Sequence, residues 1–552
     1  MTGPLIVQGD LTLLLEVDHP GHEDARNDIC RFAELVKSPE HMHTWRVTPL
    51  SIWNAAAGGV PAGEMVDALT RHSRYPLPHH VKDEILSIAA RFGRVVLTVS
   101  DGELRLEADT PELAEELWLR DELREHLEFV SHRTFRATLL ARGALKQALI
   151  RARFPAVDLA GYTPGEPLSI QARAQTLAGL PFSLRPYQQE AVDVYHASGA
   201  AHGGSGVIVL PCGAGKTIVG IAAMQRVGAS TLILTTSGTA VRQWIDELLD
   251  KTHLTPDQIG EYTGQAKEVR PVTVSTYQIL THRKRKGDDF THFGLFRQRD
   301  FGLIVYDEVH LLPAPVFRVT AEVQARRRLG LTATLVREDG LEGDVFALIG
   351  PKKLDIPWKT MERQGWIARA TCSEVRVPMA PELGRQYAAA PERLRFRVAS
   401  ENPRKLPVVS ALLARHPDAQ ALIIGTYVDQ LQAVAHALRA PLLTGDTPQR
   451  KRAELYDAFR EGREQRLVVS KVANFAIDLP DASLAIQISG TFGSRQEEAQ
   501  RLGRLLRPKK GENQAHFYSL VSRDTVEQDL AHHRQLFLVE QGYDYRIEDA
   551  RP

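Results

Sequence analysis

Apolar and polar positions follow two different rhythms along this chain. Over residues 1–180 the rhythm is that of small mixed modules. Residues 11–17 are almost all apolar and predict a strand. In residues 26–37, Ile29, Phe32, Ala33 and Val36 recur at i, i+3, i+4 and i+7, which predicts one helix with a single buried face. Residues 49–57 and 62–71 predict two further short helices. Residues 95–99 and 103–107, joined through Asp101-Gly102, predict a β-hairpin. Residues 111–128 carry charge-rich helical spacing, and 161–167, with Pro164 and Gly165, read as a linker.

From residue 181 the rhythm changes to short, continuous apolar runs separated by helical stretches. Runs at 206–210, 231–235, 272–275, 303–306 and 329–331 are followed by others at 421–424, 467–469, 484–488 and 516–518. Strands buried on both faces and alternating with helices predict parallel sheets, with ligands at the carboxyl ends of the strands. The architecture repeats but the sequence does not. The expected division is 1–92, an N-terminal docking module; 93–180, a second small domain with the linker; 181–360, a first α/β lobe; and 361–552, a second.

The candidate chemistry sits at the predicted strand ends. Gly213-Ala-Gly215-Lys216-Thr217 falls between the apolar run 206–210 and a helical stretch, the context of a phosphate-binding loop. Glycines let backbone N–H groups curl around phosphate oxygens; Lys216 would reach the β- and γ-phosphates, and the Thr217 hydroxyl would ligate Mg²⁺. Leu210 stands where the full pattern has its first glycine. Asp307-Glu308-Val309-His310 ends the run 303–306. Asp307 would hold Mg²⁺, and Glu308 would orient and deprotonate a water. Taken alone, an Asp-Glu pair is a surface turn; the phosphate loop ninety or so residues earlier changes that reading. Thr332-Ala333-Thr334 alone reads as a capped strand end. Gln500, Arg501, Arg504 and Arg507 recur at helical spacing; alone they form a basic solvated face, and beside a nucleotide they could stabilise charge on its γ-phosphate.

Taken together, in order and spacing, these motifs resemble those of superfamily-two helicases of the DExH type, and more closely the XPB family of DNA repair helicases. Arg337-Glu338-Asp339 after the Thr-Ala-Thr element, the stretch 493–504, and a thumb-like insertion at about 381–405 carry the narrower match. The resemblance implies two RecA-like parallel-sheet lobes with smaller N-terminal mixed α/β domains, ATP with Mg²⁺ held between the lobes, and a DNA helicase or translocase of 3′-to-5′ polarity in nucleotide excision repair. It makes Arg185 and Gln188 the adenine-reading element, and Gln500, Arg504 and Arg507 the residues that finish hydrolysis. It makes Thr236, Arg242 and Thr276 contacts to the DNA backbone and implicates Arg337, Glu338 and Asp339 in strand separation. Ala473 departs from the family's glycine. In residues 93–180 it implies a damage-recognition-like domain, with no motif there to mark it.

In the thumb stretch, Arg393, Arg395, Arg397, Arg404 and Lys405 accompany Tyr387 and Phe396, a mixture suited to gripping DNA through its phosphates. The run Arg283-Lys-Arg-Lys286 reads equally as a solvated loop or a phosphate contact, and Arg326-Arg-Arg328 as a salt-bridging face.

Charge changes the picture slightly. Lys+Arg and Asp+Glu are each 68, but residues 1–180 hold 19 and 25, leaving 49 and 43 for the remainder, so the basic excess accompanies the phosphate loop. Cys30, Cys212 and Cys372 are scattered, with no metal-ligand spacing and no disulfide framework. No apolar stretch is long enough to span a membrane. The expectation is a cytoplasmic, nucleoid-associated monomer from a prokaryote. It would act on duplex and single-stranded DNA with a nuclease or repair-complex partner implied by the resemblance. Two alternatives stand beside it: an RNA-directed DExH ATPase, which the Arg-Glu-Asp element and thumb oppose, and a non-catalytic nucleotide-binding scaffold, which Lys216 and Glu308 oppose.

Overall fold

A computed structural model describes residues 3–37, 41–57, 59–100, 103–138, 141–158, 165–199, 203–280, 282, 292, 299–311, 327–333, 345, 348–350, 352–470, 482–490, 513–531, 543 and 545–550. The chain divides into two compact units: Met1–Val36, His41–Leu210 and Gly215–Asp355 in the first, and Lys37–Glu40, Pro211–Ala214 and Ile356–Pro552 in the second.

The first unit opens with strands β1 (Leu5–Val7), β2 (Thr12–Glu16), β3 (Glu34–Lys37) and β4 (Met42–Arg46), in sheet order β1-β2-β4-β3, and helices α1 (His22–Ile29), α2 (Pro49–Ala57), α3 (Ala62–His72) and α4 (His79–Ala89). In β2 only Leu13 and Leu15 are fully buried, and β4 pairs with it antiparallel, so the sheet buries one face. Their core is shared with Phe32, Trp45, Met65, Leu69 and Ile85. The helix expected over 26–37 is corrected here: it ends at Ile29, and Glu34–Lys37 leaves the helical path for the end of the sheet. Phe32 and Ala33 are buried as expected, but from an irregular turn, and Val36 is exposed.

Next come β5 (Val95–Ser100), β6 (Glu103–Ala108), β7 (Glu128–Ser131), β8 (Thr134–Ala137) and β9 (Val157–Asp158), ordered β7-β8-β6-β5-β9, with helices α5 (Pro111–Trp118), α6 (Asp121–Arg124) and α7 (Arg142–Arg151). β5 and β6 pair antiparallel from Val95↔Ala108 to Ser100↔Glu103, the predicted hairpin. The helical stretch predicted over 111–128 is two helices and the start of a strand. α5 begins on a Thr110 cap and Pro111, and its last turn gives way at Leu119.

The rest of this unit is a doubly wound α/β layer: α8 (Pro186–His196), β10 (Ser205–Val209), α9 (Lys216–Val227), β11 (Thr231–Thr235), α10 (Gly238–Lys251), β12 (Ile259–Tyr262), β13 (Val272–Thr276), α11 (Tyr277–Leu280), β14 (Leu303–Asp307), β15 (Arg327–Thr332) and β16 (Lys352–Asp355). The sheet order is β12-β13-β11-β14-β15-β10-β16, every pair parallel. β11 and β13 are buried at all five positions, which is why they read as unbroken apolar or β-branched runs. Arg328, in the stretch expected to be a salt-bridging face, is buried and donates to the Leu348 carbonyl.

The second unit contains α12 (Trp358–Arg363), β17 (Arg369–Val377), α13 (Pro381–Ala389), α14 (Glu392–Ser400), α15 (Lys405–Arg415), β18 (Ala421–Gly425), α16 (Val428–Leu438), β19 (Leu442–Leu443), α17 (Gln449–Arg460), β20 (Arg466–Ser470), β21 (Leu484–Gln487), β22 (Gln514–Ser522) and β23 (Tyr545–Asp549). Its sheet order is β19-β20-β18-β21-β22-β17-β23, again parallel throughout. Among the described residues no helix is long and apolar enough to cross a membrane.

Candidate nucleotide site

Parallel register brings the carboxyl ends of β10, β15 and β14 to one edge. Val209 lies opposite Thr332, Leu331 opposite Asp307, and the Leu210 N–H donates to the Thr332 carbonyl at 3.0 Å. The turn after β10 passes through Gly213 (φ +81°) and Gly215 (φ +78°), both left-handed, before α9 begins at Lys216. A Cβ at Gly215 would also meet the Gln188 amide nitrogen at 2.5 Å, so the turn tolerates no side chain there. Thr217 follows, half-buried on the first turn of α9.

Lys216 and the acidic pair converge. Lys216 Nζ lies 3.5 Å from Glu308 Oε1, and Glu308 Oε2 lies 3.5 Å from His310 Nδ1. Glu308 itself has φ +49°, a strained conformation for a glutamate. It turns the chain directly after β14. His310 Nδ1 shares a 2.6 Å hydrogen bond with the Thr332 hydroxyl, tying the acidic motif to the Thr-Ala-Thr element. Asp307 Oδ2 accepts the Trp244 indole N–H at 2.9 Å, and Oδ1 accepts the Glu308 N–H at 3.1 Å. Burial pushes the Asp307 carboxyl up to about 6, the Glu308 charge pushes in the same direction, and the Trp244 hydrogen bond and Lys216 oppose them. Two carboxylates held against one ammonium, with room between the partners, suit a divalent cation and a polyphosphate. Among the described residues there is no group of three or more His, Cys, Asp or Glu that could hold a metal ion.

The other expected site residues fall as follows. Gln188 is buried at the start of α8, where its Oε1 accepts the Arg185 N–H at 2.9 Å, and Arg185 donates to the Tyr187 hydroxyl. Thr236 is half-buried beyond β11; its carbonyl accepts from Gln278 Nε2 at 2.7 Å. Arg242 is exposed and reaches Gln265 at 3.1 Å; Thr276 ends β13 and is 8% exposed. Arg393 is exposed on α14. Arg397 pairs with Glu401 and Asp429 and lies over the Tyr427 ring. Thr334, Arg337, Glu338, Asp339, Gln500, Arg501, Arg504 and Arg507 lie outside the described residues, as does 283–286.

The thumb reading is corrected at two positions. Phe396 is buried, and Lys405 is sealed inside the second unit, its Nζ 2.8 Å from both Glu527 carboxylate oxygens and from the Ile488 carbonyl. Sequence reasoning missed Trp244. Val241, Trp244 and Leu248 mark one helical face, but a partner 63 residues away is not visible in that spacing.

Residues 361–550 match the family model described as ERCC3/RAD25/XPB C-terminal helicase, 5–129 one described as helicase conserved C-terminal domain, and 181–337 one described as type III restriction enzyme, res subunit. The chain is 54% identical to the DNA 3′-5′ helicase XPB of Kineococcus radiotolerans, covering 99% of this chain and 97% of that one. It is 52% identical to the DNA 3′-5′ helicase XPB of Mycobacterium tuberculosis, at 99% and 98% coverage. A general transcription and DNA repair factor IIH helicase/translocase subunit XPB of Encephalitozoon cuniculi is 33% identical, at 99% and 82%. Among solved structures, an ATP-dependent type ISP restriction-modification enzyme, LlaBIII bound to DNA, matches with TM-score 0.51 and 13% identity over 67% of this chain and 32% of that one, a likeness of fold.

Proposed function

The chain belongs to the XPB family of DNA 3′-5′ helicases, and from that premise we propose that the cluster of Lys216, Thr217, Asp307 and Glu308 binds Mg²⁺-ATP and hydrolyses it. The chain is an ATP-hydrolysing DNA helicase. The observation that carries the site assignment is the convergence of Lys216 and Glu308, 3.5 Å apart, beside a turn whose glycines both have positive φ.

In the arrangement described, Lys216 is held by Glu308. A polyphosphate entering the turn offers Lys216 a stronger partner, with two or more charged oxygens, and frees the Glu308 carboxylate to accept a proton from water. Asp307 Oδ2 keeps a lone pair beyond the one that meets Trp244, and Thr217 presents a hydroxyl; these two would hold the cation. Mg²⁺, when bound, would neutralise charge on the phosphates. The hydrogen bond between His310 and Thr332 gives the acidic motif a mechanical tie to the next strand end. Gln500, Arg504 and Arg507 keep the hydrolytic role that the resemblance gives them, Arg185 and Gln188 that of reading adenine, and Arg337, Glu338 and Asp339 that of parting strands. Thr236, Arg242, Thr276, Arg393 and Arg397 are the proposed DNA contacts. We further propose a docking role for residues 1–92, damage recognition for 93–180, and a place in nucleotide excision repair with a nuclease or repair complex.

The test is unwinding of duplexes with a single 3′ or a single 5′ tail, alongside ATP turnover on DNA and on RNA. Displacement from the 3′-tailed duplex, and turnover stimulated by DNA rather than RNA, are expected. Equal stimulation by RNA would favour the RNA-directed reading, and nucleotide binding without turnover would favour the scaffold.

A further inference from the structure

Asp307 is held from two sides by side chains that the ATP chemistry does not require. Its carboxylate accepts the Trp244 indole N–H at 2.9 Å, and its main-chain carbonyl accepts the Tyr277 hydroxyl at 2.8 Å. Both donors are almost fully buried, at 1% and 2% exposure. The Trp244 ring seats against Gly220 of α9, where a Cβ would lie 2.6 Å from the ring, so the helix that starts at Lys216 leaves room for it.

The positions of these donors in the chain give the arrangement its meaning. Trp244 lies on α10, whose first turn is capped by the Ser237 side chain directly after Thr236. Tyr277 directly follows Thr276. Thr236 and Thr276 are two of the three proposed DNA contacts of this lobe, Arg242 on α10 being the third. Their segments are themselves tied together, because Gln278 Nε2 donates to the Thr236 carbonyl at 2.7 Å. The result is a closed circuit: two nucleic-acid-facing segments joined to each other, and each joined to the same aspartate.

We propose that Trp244 and Tyr277 are positioning residues that set the Asp307 carboxylate and its carbonyl, and through which DNA engaged at the ends of β11 and β13 adjusts the cation-holding group. This rests on the assignment of DNA to Thr236 and Thr276 and of the cation to Asp307 made above. The indole N–H fixes one carboxylate oxygen while the Glu308 N–H fixes the other, so the rotamer is set before a cation arrives. A rigid helix carries any shift at the Ser237 cap to Trp244, two turns along, and the Tyr277 hydroxyl carries any shift at Thr276 to the strand end itself.

Tyr277→Phe deletes only the hydroxyl; Trp244→Phe keeps an aromatic ring but removes the indole N–H together with the five-membered ring around it, so the smaller ring alone lowers the melting temperature somewhat. For each, the binding of a fluorescent ATP analogue is measured with Mg²⁺ and with EDTA, and ATP turnover is measured across ATP concentrations with and without DNA. Melting temperature is followed throughout. For Trp244→Phe the expected result is a loss of about tenfold in the affinity gained from Mg²⁺, with affinity in EDTA preserved. For Tyr277→Phe it is a several-fold smaller DNA stimulation of kcat, with KM for ATP retained. Wild-type Mg²⁺ dependence and DNA stimulation in both variants would overturn the proposal. So would a parallel fall of EDTA affinity, Mg²⁺ affinity and melting temperature, the mark of a purely structural role. A wild-type protein that DNA does not stimulate would sink the functional reading instead, and the Mg²⁺ against EDTA comparison would still decide whether Trp244 positions Asp307.

Discussion

Two lysines of this chain, one in each unit, lie at or beside a parallel sheet and face a glutamate, and they do opposite things. Lys216 stands 3.5 Å from Glu308, which also faces His310 at 3.5 Å, beside an Asp307 whose carboxyl is pushed up to about 6 by burial and by Glu308. Lys405 makes three contacts at 2.8 Å, to both Glu527 oxygens and to the Ile488 carbonyl, and Glu527 is capped further by Ser400 and by the Ser522 N–H. In the first cluster the lysine and the glutamate stand 3.5 Å apart, a stretched contact that the charged oxygens of a ligand can replace. The second is finished. A buried charge with all its hydrogen bonds made holds a fold together, and one with its partners at a stretch awaits something else.

That contrast is open to being broken, and the largest effect is expected at the open pair. Lys216→Ala should lower ATP turnover by roughly a thousandfold, as loss of a group aimed at developing phosphate charge does, while the melting temperature stays within a few degrees. At the closed pair the signs reverse. Lys405→Ala leaves Glu527 buried and unpaired, and should cost about 3–5 kcal/mol in denaturant unfolding of the second unit. Lys405→Met combined with Glu527→Leu should recover most of that loss.

A second closed cluster sharpens the rule. Asp158 is burdened by burial, but Lys146 and Arg142 beside it more than offset that and hold its carboxyl well below the usual carboxylate range. A depressed folded-state pKa stabilises above the unfolded value, near 4, and the stabilisation is lost as pH falls below it. Asp158→Asn should cost about 3 kcal/mol at pH 7 and progressively less as the pH is lowered below about 4, read by urea unfolding of wild type and variant. The smallest effect belongs to Arg397, whose half-exposed pairs with Glu401 and Asp429 are screened by water. Arg397→Ala should change stability by less than about 1 kcal/mol and lower the salt slope of DNA binding by about one.

The same contrast explains what was legible in the chain. The parallel strands were, because a strand buried on both faces reads as an apolar run, as in Thr231–Thr235 and Leu303–Asp307. Lys216, Asp307 and Glu308 were legible because each follows such a run. β4 was not: His43 and Trp45 point inward from Met42–Arg46, and a buried histidine beside a less buried methionine leaves no clean alternation. Nor was the fate of Lys405. In a stretch rich in arginine it read as one more phosphate contact, and Glu527, 122 residues on, decides otherwise. Trp244 is the same case in the first unit, where spacing shows a buried face and only the fold shows that its N–H meets Asp307.

The most direct measurement is ATP turnover by Glu308→Gln in the presence of DNA, set beside the affinity of the same protein for ATP. Glutamine keeps the shape of the side chain and removes its basicity. If the open cluster is the hydrolytic centre, turnover falls at least about a hundredfold while nucleotide affinity stays within a few-fold of the unsubstituted chain. Turnover undiminished in that variant would contradict the account.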